Sequence, residues 1–361
     1  STQQETLFPY TTLFRSRPGA APAPPRTPPG CPPARGAAWS PRPTRPTLPE
    51  ARLPLAVFTH PASHGHVTPD GHPESPDRLE AVERALAGLP ALDRREAATA
   101  EEPFLLRGHP RAHLDALRAA LPTEGAVALD PDTHLSPGSL EAALHAAGAC
   151  AAATDLVLSG EARAAFVACR PPGHHAEPER AMGFCLFSNA ALAARHALEA
   201  HGLSRVAVAD FDVHHGNGTQ AVLWEEGRAA FASSHQRPLF PGTGAPHERG
   251  AHGQIRNAAL VPGAGSAEFR AAWERDLLPH LDAHRPELLI VSAGFDAHRD
   301  DPLAQIELDE TDFAWITERL CDLAERHAGG RVVSTLEGGY DLDALAASVA
   351  AHVAVLKEHA A

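Results

Sequence analysis

Short apolar runs alternate with longer alanine- and leucine-rich stretches from about residue 53 to the end of the chain. The short runs have the length and composition of strands buried on both faces, whereas the long stretches have helical length. The predicted strands are Leu55–Phe58, Ala165–Cys169, Val206–Ala209, Leu288–Ser292 and Val332–Thr335. The predicted helices are Pro76–Ala87, Ser139–Leu158, Asn189–His201, Ala267–His284, Glu310–His327 and Leu342–His359. This alternation predicts an α/β fold of three layers, α/β/α, with a mostly parallel central sheet.

The first 50 residues differ in composition from the rest, because proline, alanine and arginine dominate residues 17–49. Such a segment cannot bury enough apolar surface to offset the entropy lost on ordering, so residues 1–50 are predicted to be a disordered tail. The opening Thr6–Ser16 resembles neither of its neighbours, which raises the hypothesis that the tail is not native. Residues 51–361 are predicted to form one folded domain.

The overall charge and the cysteine pattern narrow the class of protein. Acidic residues number 45 against 31 basic ones, for a net charge of −14. No basic run occurs beyond the first 50 residues, so nucleic acid is not expected as a direct partner. Five cysteines without a CxxC pair indicate neither a disulfide framework nor a zinc finger. With no secretory signal and no membrane-spanning run readable, we expect a cytoplasmic protein that does not bind membranes.

Unusual polar residues follow four of the predicted strands. These segments are residues 170–175, 210–218, 293–296 and 336–340. In open α/β sheets, ligands bind beyond the carboxyl ends of the strands. The four segments are therefore expected to converge on one site.

One of these segments contains two potential metal ligands, Asp212 and His214. Residues two apart in an extended segment point to the same side, so both side chains can reach one ion. Such a pair is common in ordinary loops, but Asp296 follows a second strand and can supply a third ligand. Three protein ligands with one position open to water form the pattern of a catalytic zinc site. The same ligand set also suits iron(II).

The remaining segments contain candidates for acid–base chemistry. Two anionic ligands would nearly cancel the charge of the metal, so the site needs a separate base to accept a proton from water. The adjacent His174 and His175 follow a glycine at a strand end and fit that need. Tyr340 follows two glycines that permit a tight turn, and its phenol can donate a hydrogen bond to a developing oxyanion.

These motifs resemble those of the histone deacetylase family, and in particular its class II branch and bacterial relatives. They span residues 170–176, 183–187, 210–219, 240–244, 292–296 and 337–340, in the order of the family. The resemblance extends from about Leu53 to the C-terminus and implies the arginase/deacetylase fold, so that residues 51–361 would be a deacetylase catalytic domain. It also implies zinc-dependent hydrolysis of an N-acetyl amide, with acetyl-lysine in proteins or peptides as the first expectation. The composition favours a bacterial source.

The resemblance also implies a role for each catalytic residue. His175 would take a proton from the attacking water and pass one to the leaving amine, while His174 would orient the water. Tyr340 would polarise the acetyl carbonyl and hold the oxyanion. Asp210 would brace His174. Asn217 would stand behind His175, and because a neutral amide stabilises imidazolium less than a carboxylate does, a less basic His175 is predicted.

Two metal sites follow from the same resemblance. Asp212, His214 and Asp296 would bind zinc. A potassium ion nearby would receive oxygens from Asp210, Asp212, His214 and Ser233, together with the backbone carbonyl of Ser234.

A narrow channel is expected to receive the substrate. By the resemblance, Gly183 and Phe184 would line it together with Phe240, because aromatic walls exclude water and grip a methylene chain. Leu303 stands where polyamine-specific relatives have an acidic residue, which favours acyl-lysine. Asp300 and Asp301 are near enough in sequence to keep an acetylpolyamine substrate as a second hypothesis. A catalytically inactive acyl-lysine-binding protein and an arginase-like manganese hydrolase stay open as further hypotheses.

The chain departs from the family pattern in three places. Ser188 replaces an asparagine and His134 a tyrosine, and both are expected at the rim of the site or just behind it. A histidine-rich segment near the start of the domain is expected to be a solvated loop rather than a second metal site; its histidines are His60, His64, His66 and His72.

Overall fold

The computed structural model describes residues 53–361, so the predicted disordered tail lies outside the described residues. The strands are β1 (Ala56–Thr59), β2 (Asp93–Glu96), β3 (Val127–Ala128), β4 (His134–Leu135), β5 (Ala164–Val167), β6 (Val206–Asp210), β7 (Ala229–Gln236), β8 (Ile255–Leu260), β9 (Leu288–Ala293) and β10 (Val332–Leu336). The helices are α1 (Pro76–Ala87), α2 (Glu102–Leu105), α3 (Arg111–Ala120), α4 (Ser139–Ser159), α5 (Asn189–Glu199), α6 (Asn217–Leu223), α7 (Ser266–Ala272), α8 (Leu278–His284), α9 (Glu310–Ala328) and α10 (Leu342–Ala360).

Eight of the strands within residues 53–361 form one sheet, in the order β2-β1-β5-β10-β9-β6-β7-β8. Every neighbouring pair in this sheet is parallel. The central strands are short runs of valine, alanine, leucine and isoleucine that are buried on both faces, as the sequence pattern predicted. A small antiparallel pair, β3 and β4, lies outside this sheet.

Alternate residues of each strand pack into different hydrophobic layers. In β9, Leu289 and Val291 belong to a core shared with α1, α9 and α10. Leu288 and Ile290 belong to a second core shared with α4 and α5. Because successive side chains of a strand point to opposite faces, the sheet is covered by helices on both sides. The predicted three-layer α/β/α architecture is therefore confirmed.

The predicted elements differ from the structure in specific ways. All five predicted strands are present with their ends within two residues of the prediction. The predicted helix Ala267–His284 is wrong as a single helix, because a π-helical turn at Trp273–Leu277 separates α7 from α8. Pro279 explains the interruption: it lacks an N–H and its ring crowds the preceding turn. Strands β2, β7 and β8 of the sheet were not predicted, since polar residues make up all of β2 and the second half of β7 and interrupt the apolar run of β8.

Helix α4 is long and apolar enough to cross a membrane when judged by length and composition alone. In the structure, 61% of the most apolar 18-residue stretch of this helix is buried inside the domain. Its alanines and leucines pack against α5 and the sheet, which makes it a core helix of the domain. The cysteines among the described residues are all buried and free, in keeping with the predicted lack of a disulfide framework.

Candidate active site

The four strands that precede the polar segments are neighbours in the middle of the sheet. Their order is β5-β10-β9-β6, and all of them run in the same direction. The loops at their carboxyl ends therefore meet at one edge of the sheet. The structure brings together the segments that the sequence analysis singled out.

Asp212, His214 and Asp296 form a buried cluster at this edge. Nδ1 of His214 lies 2.9 Å from Oδ2 of Asp296 and 3.2 Å from Oδ1 of Asp212. The three candidate ligand atoms all lie within 4.8 Å of one another. Burial and the charge of Asp212 raise the pKa of Asp296 to about 7. Two buried carboxylates this close favour the binding of a cation.

Backbone groups orient both carboxylates toward a common point. The N–H of Gly338 donates to Oδ2 of Asp212 at 2.8 Å, and the N–H of Val213 donates to Oδ1 of Asp296 at 2.8 Å. The other oxygen of each carboxylate faces Nδ1 of His214. One imidazole nitrogen and two carboxylate oxygens are a donor set that fits a divalent cation such as zinc.

Glycines make room for these carboxylates. A Cβ atom on Gly294 would lie 2.0 Å from Oδ2 of Asp212, and one on Gly338 would lie 2.3 Å from Oδ2 of Asp296. Both distances are far below van der Waals contact. The glycines that follow β9 and β10 are thus required by the shape of the ligand cluster.

His174 and His175 lie side by side but have different partners. Nδ1 of His174 donates to Oδ2 of Asp210 at 3.1 Å, and Nδ1 of His175 donates to Oδ1 of Asn217 at 2.8 Å. Burial opposes charge on His174, but the charges of Asp212 and Asp210 outweigh it and hold the pKa of His174 well above its usual range. Burial and the neighbouring His174 hold the pKa of His175 well below its usual range. The pKa values of the two adjacent imidazoles are therefore shifted in opposite directions.

Tyr340 is held in place from two sides. Its backbone N–H donates to Oδ2 of Asp301 at 2.7 Å. The guanidinium of Arg78 lies 4.9 Å from the centre of its ring and donates to the backbone carbonyl of Gly339 at 2.6 Å. Burial raises the pKa of the Tyr340 phenol well above its usual range, so the phenol keeps its proton as a hydrogen-bond donor.

Sequence reasoning missed the buried ionic network that supports these loops. Nε and Nη2 of Arg170 donate to the two carboxylate oxygens of Glu74 at 2.5 and 2.7 Å. Nη1 of Arg78 donates to the same carboxylate at 3.1 Å, and all three side chains are buried. The network links the loop before α1 to the ends of β5 and β10. The available signal was the spacing of four residues between Glu74, which precedes α1, and Arg78 in its first turn, because this spacing lets the two side chains meet at the start of the helix.

Glu337 is a second missed residue. Its Oε2 accepts hydrogen bonds from the backbone N–H groups of Gly173 and His174, at 2.7 and 3.1 Å. Its Oε1 accepts one from the hydroxyl of Ser292 at 3.0 Å. A single buried carboxylate therefore fixes the loop that carries both histidines.

A cavity of about 250 Å³ leads from the surface to this cluster. It is lined by Pro73, Asp132, His175, Gly183, Phe184, His214, Leu239, Phe240, Leu303 and Tyr340. The four predicted channel residues are all in this lining. Gly183 has a φ of +56°, and a Cβ there would lie 2.4 Å from the ring of His175. Phe184 also adopts a positive φ, 68°, and its ring packs edge-on against that of Tyr340 with centroids 5.8 Å apart.

The acidic residues near Leu303 do not face the cavity equally. Asp301 is buried, and its carboxylate accepts hydrogen bonds from the backbone N–H groups of Leu303 and Tyr340. Asp300 is exposed and lies 3.7 Å from the ring of His298. Asp301 is thus committed to backbone contacts, whereas the side chain that lines the cavity is Leu303.

The strand register places the residues of the predicted potassium site side by side. Asp210 of β6 pairs with Ser233 of β7. The hydroxyl of Ser233 contacts Nδ1 of His235 at 3.0 Å, and the hydroxyl of Ser234 accepts a hydrogen bond from Trp273 at 3.0 Å. The side-chain hydroxyls therefore have protein partners, and potassium binding stays a prediction.

One expectation about the departures from the family pattern needs correction. Ser188 is fully buried at the start of α5, within the expected positions at or behind the rim, and its N–H donates to Nε2 of His109 at 2.9 Å. The histidine-rich segment is not simply solvated, since His66 is buried against Ser139 and Glu74, and the ring of His60 stacks on that of His145. His134 is partly exposed and contacts His72 edge-on. Its position agrees with the expected rim location.

Comparisons with known proteins identify the family of the chain. The family model of the histone deacetylase domain matches residues 72–356. A histone deacetylase-like amidohydrolase from Pseudomonas aeruginosa is 44% identical over 278 residues, which cover 75% of this chain and 73% of that protein. Histone deacetylase 14, a chloroplastic protein of Arabidopsis thaliana, is 35% identical over 325 residues, which cover 84% of this chain and 76% of that protein.

The crystal structure of the HDA15 HD domain gives a TM-score of 0.81 at 34% identity, over 85% of this chain and 89% of that chain. These matches confirm the arginase/deacetylase fold and the resemblance carried by the motifs. They also support a hydrolase of the deacetylase and amidohydrolase type. The chain belongs to the histone deacetylase family.

Proposed function

We propose that this protein is a metal-dependent deacetylase that hydrolyses the acetyl amide of acetyl-lysine in proteins or peptides. The observation that carries the proposal is a largely apolar cavity whose lining includes His175, His214 and Tyr340. A linear acyl-lysine side chain fits such a cavity, because its methylene groups are apolar and its reactive amide is at the tip.

Asp212, His214 and Asp296 would hold the metal, which we propose to be zinc, with iron(II) as the alternative. Such an ion would act as a Lewis acid on the acetyl carbonyl and lower the pKa of water in the site. Asp210, Ser233 and Ser234 would contribute to a potassium site beside it.

The hydrogen bond between His175 and Asn217 supports His175 as the base. Because Nδ1 of His175 donates to the amide oxygen, the lone pair of a neutral imidazole is on Nε2. His175 lines the cavity, so Nε2 would accept a proton from the attacking water and later return one to the leaving amine. The amide of Asn217 is itself oriented, since its Nδ2 donates to Oε1 of Glu177 at 2.8 Å.

His174 and Tyr340 would stabilise the charge that develops on the substrate. The cationic His174, held by Asp210, would orient the water and supply positive potential. The protonated phenol of Tyr340 would donate to the oxyanion. Donors fixed in advance by buried contacts stabilise a transition state without reorganisation at the moment of reaction.

Within the lining, the position of Leu303 favours acyl-lysine over a polyamine. Leu303 presents an aliphatic side chain to the cavity, and the neighbouring Asp301 is turned toward backbone N–H groups. A second cationic amine along the substrate would find no carboxylate at Leu303. The substrate contacts proposed for Gly183, Phe184 and Phe240 are those of a tight sleeve around a methylene chain.

The direct test measures acetate release by the zinc-loaded protein from an acetyl-lysine peptide and from an acetylpolyamine. Peptide turnover that collapses in Tyr340→Phe is the expected result. Turnover of the polyamine alone would retain the mechanism and overturn the interpretation of Leu303. Zinc binding with no turnover of either substrate would favour a catalytically inactive acyl-lysine-binding protein.

A further inference from the structure

Two histidines and an aspartate converge at the surface, away from the cavity. Nε2 of His196 lies 2.6 Å from Oδ1 of Asp155, and Nε2 of His201 lies 2.7 Å from the same oxygen. The three atoms lie within 4.8 Å of one another, which is the spacing of ligands around one ion. The catalytic mechanism uses none of these residues.

The fold places this group at the opposite edge of the sheet from the cavity. Helix α5 begins after the loop that carries Gly183 and Phe184 and ends shortly before β6 begins. Its last turn, with His196, therefore lies at the amino edge of the parallel strands. A strand the length of β6 spans roughly 15 Å at about 3.3 Å per residue, so the two groups are separate.

We propose that Asp155, His196 and His201 form a second metal site, which takes a divalent transition ion such as zinc. Two imidazole nitrogens and one carboxylate oxygen suit zinc, cobalt, nickel and copper better than calcium or magnesium, which prefer all-oxygen sites. The side chain of Asp155 is 54% exposed and that of His201 is 29% exposed. Solvent can therefore complete the coordination.

The surroundings hold the histidines in a converging arrangement. The ring of Phe104 packs edge-on against that of His196, with centroids 5.4 Å apart. The two imidazole rings are nearly perpendicular, at 86°, with centroids 5.1 Å apart. Tetrahedral zinc with bonds of about 2.0–2.1 Å separates its ligand atoms by roughly 3.3 Å. A small rotation of the exposed Asp155 side chain opens the present spacing to that value.

Metal binding requires a change of tautomer at His196. In the structure, Nε2 of His196 donates to the carboxylate of Asp155, and Nδ1 has no hydrogen-bond partner among the described residues. An ion bound at Nε2 would displace that proton to Nδ1. The bound ion would join the end of α4 to the end of α5 and stabilise the folded state by mass action.

Metal content of the full chain tests the proposal. The protein is saturated with zinc, passed through a desalting column and measured by mass spectrometry of the metal. We expect His201→Ala and Asp155→Asn each to retain one zinc ion fewer per chain than the unmodified protein. His327→Ala is the matched control, because Nε2 of His327 lies 3.0 Å from Asp282, whose second partner is Arg326 instead of a histidine.

A second set of variants, made in a protein that carries Asp212→Asn, distinguishes the proposed surface site from the catalytic metal site. In Asp212→Asn, the ion that remains should disappear when His201→Ala is added, whatever the outcome for the deacetylase. The visible absorption of bound cobalt(II) provides an independent measurement of the difference in metal binding between these variants. Equal metal content in the unmodified protein and His201→Ala, with both folded by circular dichroism, would overturn the proposal.

Discussion

Nδ1 of His175 lies 2.8 Å from the amide oxygen of Asn217, whereas the adjacent His174 has the carboxylate of Asp210 as its partner. An amide accepts a hydrogen bond without adding charge, so it leaves the imidazole neutral. A carboxylate favours the imidazolium. The pKa values of these two chemically identical side chains are shifted in opposite directions: Asp212 and Asp210 raise that of His174 against the effect of burial, whereas burial and the neighbouring His174 lower that of His175.

Changing Asn217→Asp should raise the pKa of His175, because a negative charge at hydrogen-bond distance stabilises the protonated ring. A base must be unprotonated to act, so a higher pKa moves loss of activity to higher pH. We expect the acidic limb of the kcat/KM profile to shift upward by about one pH unit or more. The profile of Glu177→Gln, which alters a neighbour without adding charge to Asn217, is the control. An unmoved acidic limb would contradict this assignment.

Changing Gly294→Ala should weaken metal binding. The added Cβ would lie 2.0 Å from Oδ2 of Asp212, so the carboxylate must move from its position. We expect roughly a 10–100-fold loss of zinc affinity, as for other changes that displace a ligand. Gly265→Ala is the matched control, since its nearest contact would be 3.7 Å away. Competition with a chromogenic chelator measures the zinc affinity of both variants. Equal affinities would show that the space beside Asp212 tolerates a side chain at position 294.

His109 connects both ends of the segment that forms one wall of the cavity. Its Nδ1 donates to the carbonyl of Pro178 at 3.1 Å, and its Nε2 accepts from the N–H of Ser188 at 2.9 Å. The segment between them includes Gly183 and Phe184. Loss of two hydrogen bonds in His109→Ala should loosen this wall and raise KM by roughly 3–30-fold, at about 1 kcal/mol per bond.

The zinc content of His109→Ala should be unchanged, since the ring does not contact the ligand cluster. His109→Gln, which can both donate and accept, should recover part of the loss. A fall in kcat and metal content without a rise in KM would indicate general unfolding instead of a loosened wall.

Acidification should destabilise the fold through its buried histidines. Nδ1 of His352 donates to Thr317 at 2.6 Å, and Ser334 donates to its Nε2 at 2.8 Å. Burial lowers the pKa of His352 to about 3 and that of His109 to about 4. Each folded-state pKa is below the unfolded value of about 6.5, so the unfolded chain binds more protons as the pH falls.

The stability contributed by each neutral histidine is therefore complete above about pH 6.5 and declines toward pH 4. The expected slope is roughly 1.4 kcal/mol per pH unit for each histidine in this window. Urea unfolding of the unmodified protein and of His352→Gln between pH 7 and pH 4.5 measures it. The variant should show a shallower dependence than a control altered at the exposed His247. Parallel curves for all three proteins would rule out His352 as a contributor.

Much of this protein could be predicted from local patterns. The runs Val206–Ala209 and Leu288–Ser292 are almost entirely apolar, which indicates strands covered on both faces. The polar residues after them are placed by the general rule that parallel strands end at a common edge. The family motifs added the expected partners of His174 and His175, and the structure has those side chains in contact.

Strand β7 shows where local pattern fails. Its second half, Ser-Ser-His-Gln, is polar but fully buried, because it borders the site instead of the hydrophobic layers. A rule based on apolar runs cannot detect such a strand. The break between α7 and α8 was in principle visible at Pro279, but the amphipathic spacing on both sides of it favoured one helix.

The sequence by itself determined the layers of the fold and the strand ends where the chemistry is found, because both depend on spacing along the chain. Only the tertiary structure decided which distant groups support the site. Arg78 belongs to α1, yet it donates to the carbonyl of Gly339, 261 residues away. Its burial is possible because Glu74 and two backbone carbonyls satisfy its charge, and that compensation exists only when the chain is folded.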